Sequence, residues 1–586
     1  MRSFRRFPAS VLTILHLGVA SLSASAQGHP ASVTAWRGEQ PVRAHHGMVV
    51  SVHHLASDAG LEMLRIGGNA IDASVATGFA LAVVHPIAGN LGGGGFLLLR
   101  MHDGKTTFID FREKAPLAAT ETMYQDAKGN LIPDASTLGY RSIAIPGSVA
   151  GLVYAEKKYG KLGLKRVIAP AIKLAADGFR LTAEEAHELA DPDLTRFAES
   201  RLLFQRDGKL YRAGEVFRQP ELAHTLQRIA ADPDDFYHGK LAQELVDDLK
   251  KGGSLITLDD LAQYKVVERN PVVGTFHNFT LISAPTPSSG GIVLLSALNI
   301  LESYDLAHLG DRSAAWVHLV AEAYRRAYMD RAEYLGDPDY NPIPVTELVS
   351  KRYAEAWRKN ILADRASPSL GLKRPEGFLP PAPGAAGTRH ESPDTTHYSV
   401  VDEEGNAVAV TTTLNDSFGS HVTSASLGFL LNDEMDDFTA KLGAPNMYGL
   451  IQGPANAIAP GKRPLSAMTP TIVLEGGKLR YVLGSPGGPR IITTVANIFL
   501  SAAEGGLNIQ EAVDAPRFHH QYLPDKLYLE PGFSSQLQNK LRGMGYTIDL
   551  RDGHWSNGEC IAVDPKTGDL LAGQDHRSHY SKAAGY

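Results

Sequence analysis

The chain has 586 residues, 43% apolar and 21% charged, a composition that excludes disorder, collagen and coiled coil as its main theme. Lysine and arginine total 57 against 64 aspartates and glutamates, and the net charge of −7 argues against a chain that wraps nucleic acid. A lone cysteine, Cys560, excludes an intramolecular disulfide, an all-cysteine zinc site and a CxxC redox pair.

At the N-terminus Arg2, Arg5 and Arg6 precede an apolar stretch from about Val11 to Leu22 and an A-x-A site at Ala24-Ser25-Ala26. The pattern predicts a secretory signal peptide over residues 1–26. The stretch is too short for a membrane span, which takes about 20 residues. No later segment reads as a span, so the mature chain is expected in a periplasm or culture medium.

Ser57 is placed to N-cap a helix through Leu61 and Leu64 that stops at Gly67-Gly68. A second apolar helix runs from about Ala70 and must end before Pro86. Phe96 to Leu99 and Thr106 to Phe111 are strands joined by His102-Asp103-Gly104-Lys105, a hairpin signal. From about Gly147 to Leu335 helical periodicity dominates. Around Trp316, Val320, Ala323 and Ala327 the apolar spacing predicts an amphipathic helix, with Arg325, Arg326 and Asp330 between the apolar positions.

The composition then shifts. Pro375 to Asp394 is rich in proline and glycine and predicts an irregular, mobile segment. The remainder of the chain is β-rich. Hairpins are predicted over His397–Val401 with Ala407–Leu414, over Thr471–Leu474 with Leu479–Leu483, and over Cys560–Val563 with Leu570–Ala572. Antiparallel hairpins interleaved with helices imply a layered α+β arrangement.

Several motifs carry less than they suggest. Gly92-Gly93-Gly94-Gly95 lacks the G-K-[ST] ending of a phosphate loop and reads as close backbone packing. The pairs His45-His46, His53-His54 and His519-His520 are adjacent residues, which on a strand point to opposite faces and rarely chelate one metal. His187-Glu188 begins like a zinc-protease motif, but its fifth position is Asp191. No metal and no organic cofactor is expected. Cys560 opens an apolar run and reads as a buried filler.

The junction Asp394-Thr395-Thr396-His397 joins the irregular segment to a strand. If the Asp394–Thr395 bond is cut, Thr395 becomes an N-terminus whose own α-amine lies beside its hydroxyl. That pairing is a known form of activated nucleophile. An α-amine titrates near pH 8, close to operating pH, whereas lysine at about 10.4 is mostly protonated.

At this point the sequence resembles the γ-glutamyltranspeptidase family of N-terminal-nucleophile hydrolases. The residues that carry the resemblance run along nearly the whole mature chain. They are Gly89 to Gly95, Asp110-Phe111-Arg112-Glu113, Thr395 to Val400, Leu431 to Phe438, Arg463-Pro464-Leu465-Ser466, Gly484-Ser485-Pro486-Gly487-Gly488 and Ala515 to Gln521. The resemblance implies a four-layer αββα sandwich. It also implies a proenzyme that cuts itself after Asp394 into a large subunit, 27–394, and a small subunit, 395–586, which share one core as a heterodimer.

By the same resemblance Thr395 is the nucleophile of self-cleavage and catalysis, and Thr413 orients the new N-terminus. Gly487 and Gly488 supply the N–H groups of an oxyanion hole. Arg112 and Ser466 hold the α-carboxylate of a γ-glutamyl group, and Asn415, Glu434 and Asp437 hold its α-ammonium. Tyr448 is the tyrosine of a lid loop. The chain departs from the family pattern at Ala467, where a second serine is frequent, and at His576, where proline is common. The implied reaction is transfer of the γ-glutamyl group of glutathione and related amides to water, amino acids or peptides. Alternatives are a glutaryl or cephalosporin acylase on the same fold and a non-catalytic γ-glutamyl-binding protein.

Overall fold

The computed structural model describes residues 36–379, 395–447, 449–551 and 555–586. The predicted signal peptide, Asp394 and Tyr448 lie outside the described residues, as does most of the proline- and glycine-rich segment. Among the described residues no helix is long and apolar enough to cross a membrane.

Two seven-stranded antiparallel sheets organise the chain. The first runs, edge to edge, through Val42–Ala44, Leu570–Gly573, Cys560–Val563, Lys478–Leu483, Thr471–Glu475, Phe279–Ser283 and Val272–Phe276. The second runs through Lys582–Gly585, Met48–Ser51, Thr396–Val401, Ala407–Thr413, Gly94–Arg100, Thr106–Phe111 and Val267–Arg269. Both sheets mix strands from before and after position 395, so neither stretch has a sheet of its own.

The period-2 rule sorts the side chains into layers. In Gly94–Arg100, Leu97 and Leu99 pack under helices, while Phe96 and Leu98 point between the sheets. In Lys478–Leu483, Val482 points between the sheets, while Tyr481 and Leu483 face the other helical layer. Helices His54–Arg65, Ala70–Val84 and Ser148–Tyr159 cover one outer face. Helices Gly290–Leu301, Ala314–Tyr334 and Arg490–Ala503 cover the other. The result is the expected α+β sandwich in four layers, αββα.

The three predicted hairpins of the β-rich part are present, with register Thr396↔Thr412, Thr471↔Leu483 and Cys560↔Gly573. Three local expectations need correction. The first helix begins at His54, and its cap is His53, whose Nδ1 accepts the Leu55 N–H at 3.2 Å. Ser57 is inside the first turn, and its hydroxyl donates to the carbonyl of Lys582 at 2.8 Å. The stretch from Gly147 to Leu335 also contributes three strands between Val267 and Ser283, one to the second sheet and two to the first. Their alternation is weak because Val272–Phe276 is an edge strand, with buried residues only at its ends.

The helix Ala314–Tyr334 has no polar face. Arg325, Arg326 and Asp330 are buried, because the helix is enclosed on every side. Glu322 receives Arg325 Nε at 3.1 Å and Arg326 Nη1 at 2.7 Å. Burial pushes the Glu322 carboxyl up, but the two arginines outweigh it and hold the group at about 2. Periodicity cannot distinguish such a buried ion-pair ladder from a solvated face.

Candidate active site

Thr395 is buried immediately before the strand Thr396–Val401. The hairpin register brings it beside Thr413, the last residue of the return strand, and their hydroxyl oxygens are 3.3 Å apart. The Thr413 hydroxyl also accepts the Asn415 N–H at 2.8 Å. Asn415 has φ +85°, a left-handed turn that asparagine tolerates, and it directs the chain away from the sheet.

The glycine run holds this hairpin by close approach, as the sequence suggests. A Cβ on Gly93 would sit 2.0 Å from the Thr413 carbonyl oxygen, and one on Gly95 would sit 2.4 Å from that of Thr411. Asn90 secures the contact from the side by donating to the Thr413 carbonyl at 2.9 Å. On the opposite side His397 bridges Thr411 at 2.9 Å and Ser399 at 3.1 Å. Burial lowers its pKa to about 3, so it is a neutral brace.

One pocket gathers most of the predicted residues. Thr395, Thr413, Asn415, Arg112, Glu434, Asp437, Ser466 and Gly488 all line it. Gly487 is adjacent in the turn but contributes no wall. The two glycines have φ +126° and +53°, and the helix Arg490–Ala503 begins directly after this turn. Their carbonyls accept the Arg490 and Ile491 amides at 3.0 and 3.1 Å. Behind Gly487 the backbone is pressed against Ser556, whose Oγ a Cβ would meet at 2.2 Å.

Opposite Thr395, Arg112 is wholly buried. Its Nε donates to the Pro464 carbonyl at 3.2 Å, and its terminal nitrogens pair with Glu434 and Asp437. Burial disfavours the guanidinium charge, but Glu434, Asp437 and Glu113 outweigh it and raise its pKa. Burial raises Glu434 well above the usual carboxylate range and Glu113 to about 7. Asn415 links the acidic turn to the hairpin, donating to the Asp433 carbonyl at 3.2 Å. The Ser466 hydroxyl accepts the Met468 N–H at 3.1 Å, and Ala467 also lines the pocket.

Tyr448 itself lies outside the described residues. Its neighbours hold to the acids: the Met447 N–H donates to Asp436 at 2.9 Å, and Asn446 Nδ2 approaches Asp437 at 3.5 Å. The His576 departure is remote from the pocket. Its Nδ1 bonds Asp514 at 2.7 Å.

Two charged groups given no role by the sequence belong here, one on the pocket wall and one behind Arg112. Arg331 lines the pocket from the long helix, with Nε donating to Ser289 Oγ at 2.9 Å. Glu113 shares the Arg112 guanidinium at 3.5 Å. The available signal for Arg331 was the density of charge around the helix, too high for one solvated face. Away from the pocket, Asp191, Asp193 and His421 offer ligand atoms within 4.8 Å of one another, and none lines this site. Cys560 is buried, its thiol pushed up to about 12 by burial.

The arrangement presents a threonine hydroxyl with a hydroxyl neighbour, a glycine turn beside it and a paired set of buried charges opposite. It can hold a zwitterion with a reacting carbonyl over Thr395. The gamma-glutamyltranspeptidase family model matches residues 56–585. The glutathione hydrolase proenzyme of Escherichia coli (strain K12) is 46% identical over 93% of this chain and 93% of its own length. The solved γ-glutamyltranspeptidase of Helicobacter pylori is 44% identical, with a TM-score of 0.55, over 56% of this chain and 95% of that one. The solved cephalosporin acylase of Bacillus halodurans is 27% identical, with a TM-score of 0.79, over 94% of this chain and 97% of that one.

Proposed function

This chain belongs to the γ-glutamyltranspeptidase family and cleaves the γ-glutamyl amide of glutathione and related compounds; we propose that it does so through a γ-glutamyl ester on Thr395. The observation that carries this reading is the Thr395–Thr413 hydroxyl contact, 3.3 Å, in a pocket whose other wall is Arg112 with Glu434 and Asp437.

The enzyme is made by self-cleavage. The Thr395 hydroxyl attacks the Asp394 carbonyl, the peptide nitrogen leaves, and water hydrolyses the resulting ester. The step frees the α-amine of Thr395. In catalysis that amine takes the hydroxyl proton as Thr395 attacks the γ-carbonyl, and gives it to the departing amine. The N–H groups of Gly487 and Gly488 receive the tetrahedral oxyanion, and loss of such a donor costs about 3 kcal/mol of barrier. Arg112 and Ser466 hold the α-carboxylate, and Asn415, Glu434 and Asp437 hold the α-ammonium. Arginine suits the first task because its planar fork matches a carboxylate. By the family resemblance Tyr448 is assigned to substrate contact. Water then gives glutamate, and an amino acid or peptide gives transfer. Residues 1–26 direct export to the periplasm or medium, and the subunits 27–394 and 395–586 stay together by packing alone.

Purification tests this directly. Two bands are expected on a denaturing gel, the smaller beginning at Thr395, and Thr395→Ala gives one uncut band. An uncut wild-type chain without γ-glutamyl-anilide turnover would overturn the reading. A glutaryl substrate, as an acylase would take, lacks the ammonium for which Glu434 and Asp437 are suited.

A further inference from the structure

A second cavity of about 760 Å³ opens between the C-terminal end of helix Ser148–Tyr159, the short helix Leu164–Val167 and the end of helix Pro220–Ala231. It shares no lining residue with the Thr395 pocket. Its size falls within the usual range for small-molecule sites.

The walls are apolar. Val153, Leu162, Leu164, Ala230 and Pro233 line it, and all are half-buried, with one surface against the protein and one toward the cavity. Cations stand around them: Lys157, Lys161, Lys165 and Arg166. Lys161 is already paired with Glu404 at 2.8 Å. Among the described residues, Lys157, Lys165 and Arg166 have no carboxylate within 4.0 Å.

A buried carboxyl, Glu156, completes the lining at 3% exposure. Its Oε1 accepts the Gly163 N–H at 2.8 Å, and the carboxyl shares a side-chain hydrogen bond with Asp72. The adjacent Asp72 already receives the amides of Asn69, Lys161 and Leu162 at 2.7, 2.9 and 2.6 Å. Burial, then the Asp72 charge, raises Glu156 to about 8, so it is a neutral acid at pH 7 and repels no anion.

We propose that this cavity is a binding site for an amphiphilic anion, an acyl chain bearing a carboxylate or phosphate head. The chain lies on Val153, Leu162 and Leu164, and the head meets Lys157, Lys165 and Arg166. Apolar walls select against a bare ion, and unpaired cations select against a cationic amphiphile.

The test is isothermal titration of the purified enzyme with dodecanoate, dodecyl phosphate, inorganic phosphate and dodecyltrimethylammonium. Dodecanoate and dodecyl phosphate are expected to bind one per chain, at least about tenfold tighter than either other probe. Lys165→Glu with Arg166→Glu is expected to weaken dodecanoate about tenfold or more, with kcat and KM for γ-glutamyl-anilide unchanged. Lys157→Gln, a milder change, is expected to weaken it about threefold. Pelleting with phosphatidylglycerol but not phosphatidylcholine vesicles would identify a lipid headgroup as the source, and soluble binding without pelleting a free amphiphile. Absent dodecanoate binding, equal binding of the cationic amphiphile, or full binding by the charge variants would overturn the proposal.

Discussion

Arg112 and Glu434 form a buried ion pair in the wall of the pocket that Thr395 lines, with Asp437 on the second guanidinium nitrogen. The group that suits a carboxylate and the groups that suit an ammonium thus neutralise each other. On the proposed roles a zwitterion would enter by exchange, its carboxylate taking over Arg112 while its ammonium takes over the acids. No buried charge is left without a partner. A glutaryl group offers only the first half of that exchange. Leaving a buried charge uncompensated costs about 3–5 kcal/mol. Glutaryl anilide is therefore expected to show kcat/KM at least about 100-fold below γ-glutamyl anilide, measured on the same processed enzyme.

In the proposed mechanism Thr413 does no carbonyl chemistry of its own and acts through position. Its hydroxyl contacts Thr395 at 3.3 Å and accepts the Asn415 amide at 2.8 Å. Thr413→Ala leaves that amide without its acceptor, a loss of about 1–3 kcal/mol. Slowed appearance of the small subunit on gels is expected, together with a kcat about 10- to 100-fold lower. Thr413→Ser should restore much of both.

Gly487 sits at φ +126° with Ser556 Oγ 2.2 Å from any added Cβ. Gly487→Ala must displace the turn or the serine. On the proposal that the turn presents the oxyanion donors, kcat is expected to fall about 100-fold or more while KM changes little. Pairing the change with Ser556→Gly relieves the clash but not the φ. Only partial recovery is expected from steady-state kinetics of the double variant.

Glu113 has a folded pKa of about 7 against an ordinary 4.5, raised by burial. A carboxyl whose folded pKa is raised binds its proton more tightly in the native state. Its contribution to stability is fully present below about pH 4.5 and is lost as pH rises through about 7. Wild-type melting temperature is expected to carry a downward component over that window. Glu113→Gln should flatten it, measured by thermal unfolding in a pH series. An unchanged slope would place the titration elsewhere in the Arg112 cluster.

Ala467 lines the pocket beside Ser466 and is 8% exposed. Ala467→Ser adds a hydroxyl where the family often has one. If that hydroxyl reaches the α-carboxylate, the gain is about 1 kcal/mol, or roughly fivefold in KM, with kcat little changed. Michaelis curves for γ-glutamyl anilide check it.

Much of the site was legible because its residues cluster in short ordered motifs. Those motifs prove to brace one another. Asp110 accepts the Arg112 amide at 3.0 Å and pairs with Arg463 at 3.3 Å, while Pro464 accepts Arg112 Nε at 3.2 Å. His519, in Ala515 to Gln521, bonds Thr493 at 2.8 Å on the helix directly after the glycine turn. Arg331 was not legible. It belongs to a helix whose charges pair within itself and with distant loops, and spacing records no loop.

The family resemblance supplied the pocket residues, and local sequence was enough to establish the hairpins and the glycine contacts. Each depends on neighbours a few positions apart or on a residue that only one backbone geometry admits. Which charges are buried and which face one another was settled by the folded chain alone. Arg112 meets Glu434 across 322 residues, and strands from both sides of Thr395 share each sheet. Burial and electrostatic partnership are properties of packing between distant segments, so they appear only when those segments meet.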